Sequence, residues 1–237
     1  KDEIVMANSH IPVLEKWVIA VRPFALPAST MPVLYGTAAA VIIGRATFHP
    51  LLFVLAFTAM VILHSGANLL SDVNDYRKGI DRAPTPVSGA IVRGYISPRS
   101  GLVVSMLLIS MGFALGVILA LVVGFQILII GVVGILIGVF YTLKPVALKY
   151  RALGDLAVFL DFGILGALGA WTVQTGNVSW IPAVWAVPMS LLVVAIVHAN
   201  NWRDIEGDSK SEVTTVASLL GDSGSLVYYS VLVFGAF

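Results

Sequence analysis

The sequence predicts an all-α fold, a polytopic transmembrane helical bundle, and three observations carry that prediction. Of 237 residues, 58% are hydrophobic and only 11% are charged, with a mean hydropathy of +0.95. Soluble domains carry about 25% charged residues, so lipid has to stand in for much of the polar surface that water would require. Uncharged runs long enough to cross a bilayer, about 20 residues each, recur along the chain. The few charges that remain sort to one side of those runs. The pattern is continuous, and residues 1–237 read as a single membrane-embedded domain.

The elements follow in order. Residues 24–44 are uncharged and make a first span, kinked in its first half by Pro27 and Pro32. Residues 46–71 make a second. The charge-free run 100–143 is too long for one helix and suits two, with the turn at Gly124. Residues 156–201 hold one charge, Asp161, and split at the polar stretch 174–179 into a fifth and a sixth span. A seventh begins near Ser225 and reaches Phe237 after about 13 residues, short of a crossing, so the chain is expected to stop inside a span. Asp2, Glu3, Glu15 and Lys16 interrupt the N-terminal stretch, which lacks the long apolar core of a signal peptide.

With six full spans, the N-terminus and the segments 72–99, 144–155 and 202–224 share one face. They hold 13 of the 14 Lys and Arg residues, Arg45 being the exception. Such an excess marks the cytoplasmic side, which predicts a multi-pass protein of the cell membrane with its N-terminus and long loops inside. A net charge of +1 gives no argument for a nucleic-acid partner, and the absence of cysteine excludes disulfides and thiolate metal sites.

Two loops on that face carry acids in a repeated pattern. The second span runs into Asn68-Leu-Leu-Ser-Asp72-Val-Asn-Asp75, and the sixth into Asn200-Asn-Trp-Arg-Asp204-Ile-Glu-Gly-Asp208. Offsets of three, four and seven share a helical face. Asn68, Asp72 and Asp75 therefore point one way, and Asn200, Asp204 and Asp208 do the same. A single acid at a span end is commonly a solvated cap; two matching Asn-x-x-x-Asp motifs on one side are not explained that way. Oxygen-only donors suit Mg²⁺, which keeps waters and bridges to substrate phosphates. Nearby cations, among them Arg22, Arg77, Lys78, Lys144, Lys149, Arg151, Arg203 and Lys210, can take the remaining negative charge of a diphosphate.

On these residues the chain resembles the UbiA superfamily of intramembrane prenyltransferases. Arg22-Pro-Phe-Ala-Leu-Pro27, the 68–81 segment, Tyr141-Thr-Leu-Lys-Pro145, Lys149-Tyr-Arg-Ala-Leu-Gly-Asp155 and the 200–208 segment match family motifs in order. The first motif is most similar to the menaquinone-type (dihydroxynaphthoate) branch. The resemblance implies nine helices, a prenyl diphosphate donor, Mg²⁺, and an aromatic quinone precursor or a related lipid acceptor. It implies Asn68, Asp72 and Asp75 as a first metal site and Asp204 and Asp208 as a second, with Asp72 and Asp204 central to catalysis. Arg22, Lys144, Lys149 and Arg151 become diphosphate contacts with Arg77 beside them, and Tyr141 faces the reacting carbon. The chain departs from the family in three places. Tyr76 stands at the third acidic position with Asp75 one residue earlier, Ser71 stands where an Asn often precedes the first Asp, and Val213-Thr214 replaces a pair that is often basic.

Other polar residues have quieter readings. Asp161 is expected to line the site on the acceptor side, or to be a hydrogen-bonded structural acid. His64 and His198 read as hydrogen-bonded interior groups. Trp171, Trp180 and Trp185 fit an interfacial belt, and Gly131, Gly134 and Gly138 fit close helix packing. A prenyl transfer to a glycerol-phosphate lipid is the alternative within the enzyme class. From another class, a secondary transporter would place its acids near the midplane, where only Asp161 lies.

Overall fold

A computed structural model describes residues 11–80, 89–206 and 213–237. Among them helices are the only regular elements, and the one extended pairing is an isolated bridge between Arg151 and Thr214. Helix α1 (Val13–Val21) and helix α2 (Pro27–Ile42) are bent by 53° about the short 3-10 turn Pro23–Ala25. Helix α3 follows at Pro50–Arg77, then α4 at Pro98–Val123 and α5 at Phe125–Phe140. The continuous helix α6 covers Gly154–Thr175, with Phe159–Leu165 wound as a π-helical turn. Short α7 (Ile181–Trp185), α8 (Val187–Arg203) and α9 (Val216–Phe234) complete the set.

Local chemistry sets these boundaries. Proline opens α2, α3 and α4, where its missing N–H costs nothing and its fixed φ is already helical. Gly124, at φ 144°, separates α4 from α5, as the sequence predicts, and Gly176, at φ 72°, closes α6. At 28 residues α3 is about 42 Å long. That exceeds the roughly 30 Å hydrocarbon core, so one end of α3 can stand clear of lipid, and this end carries the first acidic motif.

Each predicted apolar run contains a helix. Among the described residues four helices are long and apolar enough to cross a membrane, namely α3, α4, α6 and α9, and the bent α1–α2 pair makes five if it is one span. The hydropathy of the sequence suggested six. The difference lies in α5 and α8, at 16 and 17 residues. The seventh run also differs from expectation. Helix α9 starts at Val216, well before Ser225, because a capping box between Thr215 and Ser218 launches it; Gly221 (φ 64°) then kinks it. Asp222, in the second turn, lowers the hydropathy of the helix start, which hid it from the apolar count.

Close approaches hold the bundle. A Cβ on Gly66 would lie 3.0 Å from Ile109, and one on Gly112 would strike Leu63, so α3 and α4 pack tightly. A Cβ on Gly36 would strike the Ala167 backbone where α2 meets α6. Trp171 is buried against Ala39, Ala40 and Ile181 and belongs to the core, whereas Trp180 and Trp185 are exposed as belt residues should be. At the short-loop end, the His49 backbone N–H donates to Gln174 Oε1 (2.8 Å), tying α3 to α6.

Candidate active site

The acid-bearing end of α3 is the place where three parts of the chain converge. Asp72 and Asp75 are 1% and 2% exposed, and buried carboxylates require partners. Arg22, from the α1–α2 bend, provides one, with its Nη2 paired to Asp72 Oδ1. Pro23 disfavours the right-handed helical region for Arg22, which instead takes φ 54° and ψ 65° and so breaks the helix at this point. Asn68 Nδ2 donates to Val21 O (3.4 Å), fixing the same bend against α3.

Asp75 is met from the 144–155 segment. Lys149 Nζ donates to Oδ2 at 2.7 Å and Tyr150 Oη to Oδ1 at 2.5 Å, with Ser71 Oγ adding a 3.3 Å bond to Oδ2. Asn74 Nδ2 reaches Thr142 Oγ1 (3.0 Å), and Lys149 N–H donates to Tyr141 O (2.8 Å), so the loop after α5 is pinned to the end of α3. Burial alone would lower the Lys149 pKa. The Asp75 carboxylate and the Tyr141 hydroxyl outweigh it and hold the amine above its ordinary value. Lys78 moves the other way: burial lowers it, and repulsion from Lys144 and Lys149 adds to this against the pull of Asp75. Its ammonium sits 3.3 Å from the centre of the Tyr150 ring. Arg22, Lys78 and Lys149 thus meet two carboxylates, with Lys144 close enough to repel Lys78, an arrangement with capacity for a further anion.

The remaining candidates are dispersed. Tyr141 caps α5 with its hydroxyl next to Gly154, where a Cβ would lie 3.4 Å from it. Arg77 is exposed in the last turn of α3, and Arg151 donates to Pro145 O at 2.8 Å. Helix α8 ends at Arg203, so Asp204 leaves the helical register; it pairs with Arg203 (2.7 Å) and its side chain is 46% exposed. Asp208 and Lys210 lie outside the described residues. The sequence reading missed Tyr150 as an Asp75 partner, although it follows Lys149 directly. It also missed Asp155, whose Oδ2 lies 3.3 Å from His198 Nδ1 in a buried pair joining α6 to α8. His64 is paired as expected, 2.7 Å from Ser29 Oγ.

No group of three or more His, Cys, Asp or Glu side chains is gathered as a metal site among the described residues. The donor set at the end of α3 is two carboxylates and the Asn68 amide, all hard oxygen. Such a set fits an ion that takes one or two carboxylates from the protein and fills its shell with water and phosphate, as Mg²⁺ does.

Beneath this charged end lies an apolar cavity of about 150 Å³. Ala67 and Gly138 line it near the acids, and Ala56, Leu119, Ile127 and Val173 line its far end. Ala56 and Ala67 are about 16 Å apart along α3, so the cavity follows the helices into the bundle. Gly131, Gly134 and Gly138 open onto it, where the sequence suggested close helix packing.

Residues 29–237 match the UbiA prenyltransferase family. The chain is 33% identical over 220 residues to the UbiA prenyltransferase domain-containing protein 1 of Danio rerio, covering 92% of this chain and 65% of that protein. For the Homo sapiens protein of that name the identity is 30%, with 92% and 64% covered. The chain therefore spans just under two thirds of the length of these relatives. A UbiA homolog from Archaeoglobus fulgidus, solved bound to GPP and Mg²⁺, has the same fold, with a TM-score of 0.70 at 16% identity, covering 93% of this chain and 75% of that one. A digeranylgeranylglyceryl phosphate synthase structure matches at a TM-score of 0.63 and 22% identity, covering 95% and 75%. The chain belongs to the UbiA prenyltransferase family and has the helical fold of a multi-pass membrane protein.

Proposed function

We propose that this chain transfers a prenyl group from a prenyl diphosphate to an aromatic quinone precursor within the membrane, with Mg²⁺ as cofactor. The observation that carries this reading is the placement of the apolar cavity directly beneath the cluster of Arg22, Lys78, Lys144 and Lys149. A prenyl diphosphate is a long hydrocarbon with a multiply charged head, and the two environments are stacked in that order. A family neighbour holding GPP and Mg²⁺ supports the same choice.

On this reading Asn68, Asp72 and Asp75 hold a first Mg²⁺, with Asp204 and Asp208 assigned to a second. Bound there, the metal supplies Lewis-acid stabilisation of the leaving diphosphate. Lys149 and Arg22 each balance a buried carboxylate and present further N–H groups to phosphate oxygens; Lys144, Arg77 and Arg151 line the approach. As the allylic C–O bond opens, these fixed cations stabilise charge on the departing oxygen without reorganising. The cavity walls keep water from the allylic carbon, and Tyr141 is assigned to the face of that carbon. The positive charge excess favours a cytoplasmic side for this end and the N-terminus, in the cell membrane. The first acidic motif favours the menaquinone-type acceptor over a glycerol-phosphate lipid.

The test is product mass spectrometry on the protein in lipid nanodiscs with Mg²⁺. Short and long prenyl diphosphates are paired with a dihydroxynaphthoate, a hydroxybenzoate, homogentisate and a glycerol-phosphate lipid. Prenylated naphthoate as the main product is the expected result. Product from the glycerol lipid alone would reassign the acceptor. Solute uptake in liposomes with no product from any pair would point to a transporter.

A further inference from the structure

Among the described residues Asp161 is the one acid that lines the apolar cavity. It stands in the π-helical turn Phe159–Leu165 of α6, and such turns recur at functional sites because they displace one residue from the helical ladder. Two glycines one turn apart on α5 make room for its carboxylate. A Cβ on Gly134 would lie 2.9 Å from Asp161 Oδ1, and a Cβ on Gly138 3.8 Å from Oδ2. No hydrogen-bond or charge partner among the described residues meets the carboxylate.

Position gives this residue its meaning. The same point above Gly138 lies 4.0 Å from the Ala67 Cβ, which places Asp161 across from Ala67 on α3. Asp72 lies five residues further along α3, about 8 Å by helical rise. The carboxylate is therefore near the level where a prenyl chain leaves its diphosphate and meets an acceptor. Asp161 is half-buried, and its carboxylate faces an apolar cavity. A hydrocarbon tail filling that cavity would take it from water and offer it nothing, which is costly for a polar group. A molecule with an O–H or N–H group supplies the missing bond.

We infer that Asp161 is a specificity-determining residue that accepts a hydrogen bond from a hydroxyl of the acceptor, selecting hydroxylated acceptors over their ethers. This rests on the transferase reading for the acceptor's role, while the contact itself is a binding property. Leucine at 161 removes the hydrogen-bonding oxygens at similar volume, and asparagine keeps one.

The test measures equilibrium binding to the full chain in nanodiscs, by thermophoresis, with a dihydroxynaphthoate, a hydroxybenzoate, glycerol phosphate and the O-methyl ethers of the two aromatics. Geranylgeranyl diphosphate with Mg²⁺ serves as the donor control. Asp161→Leu is expected to weaken binding of the preferred hydroxylated ligand roughly ten- to hundred-fold. It should also erase the wild-type preference over the ether and leave donor binding within about twofold. Asp161→Asn, nearly the same shape, should lose less than about fivefold, which separates a lost contact from a misfolded bundle. Wild-type affinities in Asp161→Leu, an unchanged hydroxyl preference, or no binding of any of the three ligands to the wild type would overturn the assignment. Absence of prenylated product despite these binding differences would overturn the transferase reading and leave the contact standing.

Discussion

Lys149 Nζ lies 2.7 Å from Asp75 Oδ2 across 74 residues of sequence, and this contact fastens the loop after α5 to the end of α3. The carboxylate is nearly fully buried and the amine about a quarter exposed. Opposite charges in such a place hold one another only as a pair.

Lys149→Met is therefore expected to cost both stability and turnover. Leaving Asp75 buried without its cation costs about 3–5 kcal/mol, read as a fall in the midpoint of thermal unfolding in detergent. The double variant Lys149→Met/Asp75→Leu should recover most of that stability and none of the activity. The amine is held above its ordinary value of 10.5. Its stabilising contribution is then complete below 10.5 and disappears only as pH climbs through the raised value. Across the neutral range the pair should give no pH dependence in unfolding midpoints, and a steep slope there would show another group at work.

Arg22 and Asp72 allow a cleaner separation of fold from function. Arg22 holds φ 54°, a conformation glycine adopts without the side-chain penalty of about 1 kcal/mol or more. Arg22→Gly thus relieves the backbone while removing the partner of Asp72, and the net effect on stability should be smaller than for Arg22→Ala. Its KM for prenyl diphosphate should rise at least about tenfold through the lost charge-assisted contact. Equal unfolding losses in Arg22→Gly and Arg22→Ala would show that the bend does not depend on this torsion.

Much of this arrangement is legible in the sequence because hydropathy and helical spacing are local. Gly124 marks the α4–α5 turn, and the offsets of Asn68, Asp72 and Asp75 place them on one face of α3. What stays hidden is set by distant packing. Nothing local pairs Arg22 with Asp72 or Tyr150 with Asp75, and nothing in the Gly134 and Gly138 spacing says that they face a carboxylate. The second motif shows the opposite failure. Its spacing promises a continuous helical face, but α8 stops at Arg203 and Asp204 turns to its neighbour.

The metal assignment makes its own prediction. Chelating Mg²⁺ should abolish turnover and weaken donor binding, and titrating Mg²⁺ back should restore both. Asp72→Ala and Asp204→Ala are each expected to lower kcat by at least about a hundredfold. Asp204→Ala, at an exposed pair, should keep the unfolding midpoint within a few degrees, whereas Asp72→Ala, which leaves Arg22 without its buried partner, should lower it. An Asp204→Ala protein with wild-type kcat and Mg²⁺ dependence would remove Asp204 from the site, as its exposed pairing with Arg203 would then suggest.

The cavity supplies a prediction about donor length in which glycines act in opposite ways. Gly116 on α4 and Gly131 on α5 both line it, and a Cβ at either would meet nothing within 4 Å. Each lies farther from the acids than Asp161, on the part of the cavity where the end of a long chain would sit. Gly131→Leu or Gly116→Leu should project into that space, with little loss of stability because the added Cβ meets no neighbour. Activity with a short prenyl diphosphate should persist while activity with a long one falls, at least about tenfold in the ratio of kcat/KM. Gly112→Leu is the control, since its Cβ would strike Leu63. Overpacking there should cost about 1–3 kcal/mol and lower activity with both donors alike. If Gly131→Leu and Gly116→Leu leave the length preference unchanged, the hydrocarbon chain runs elsewhere and the cavity is not the donor tunnel.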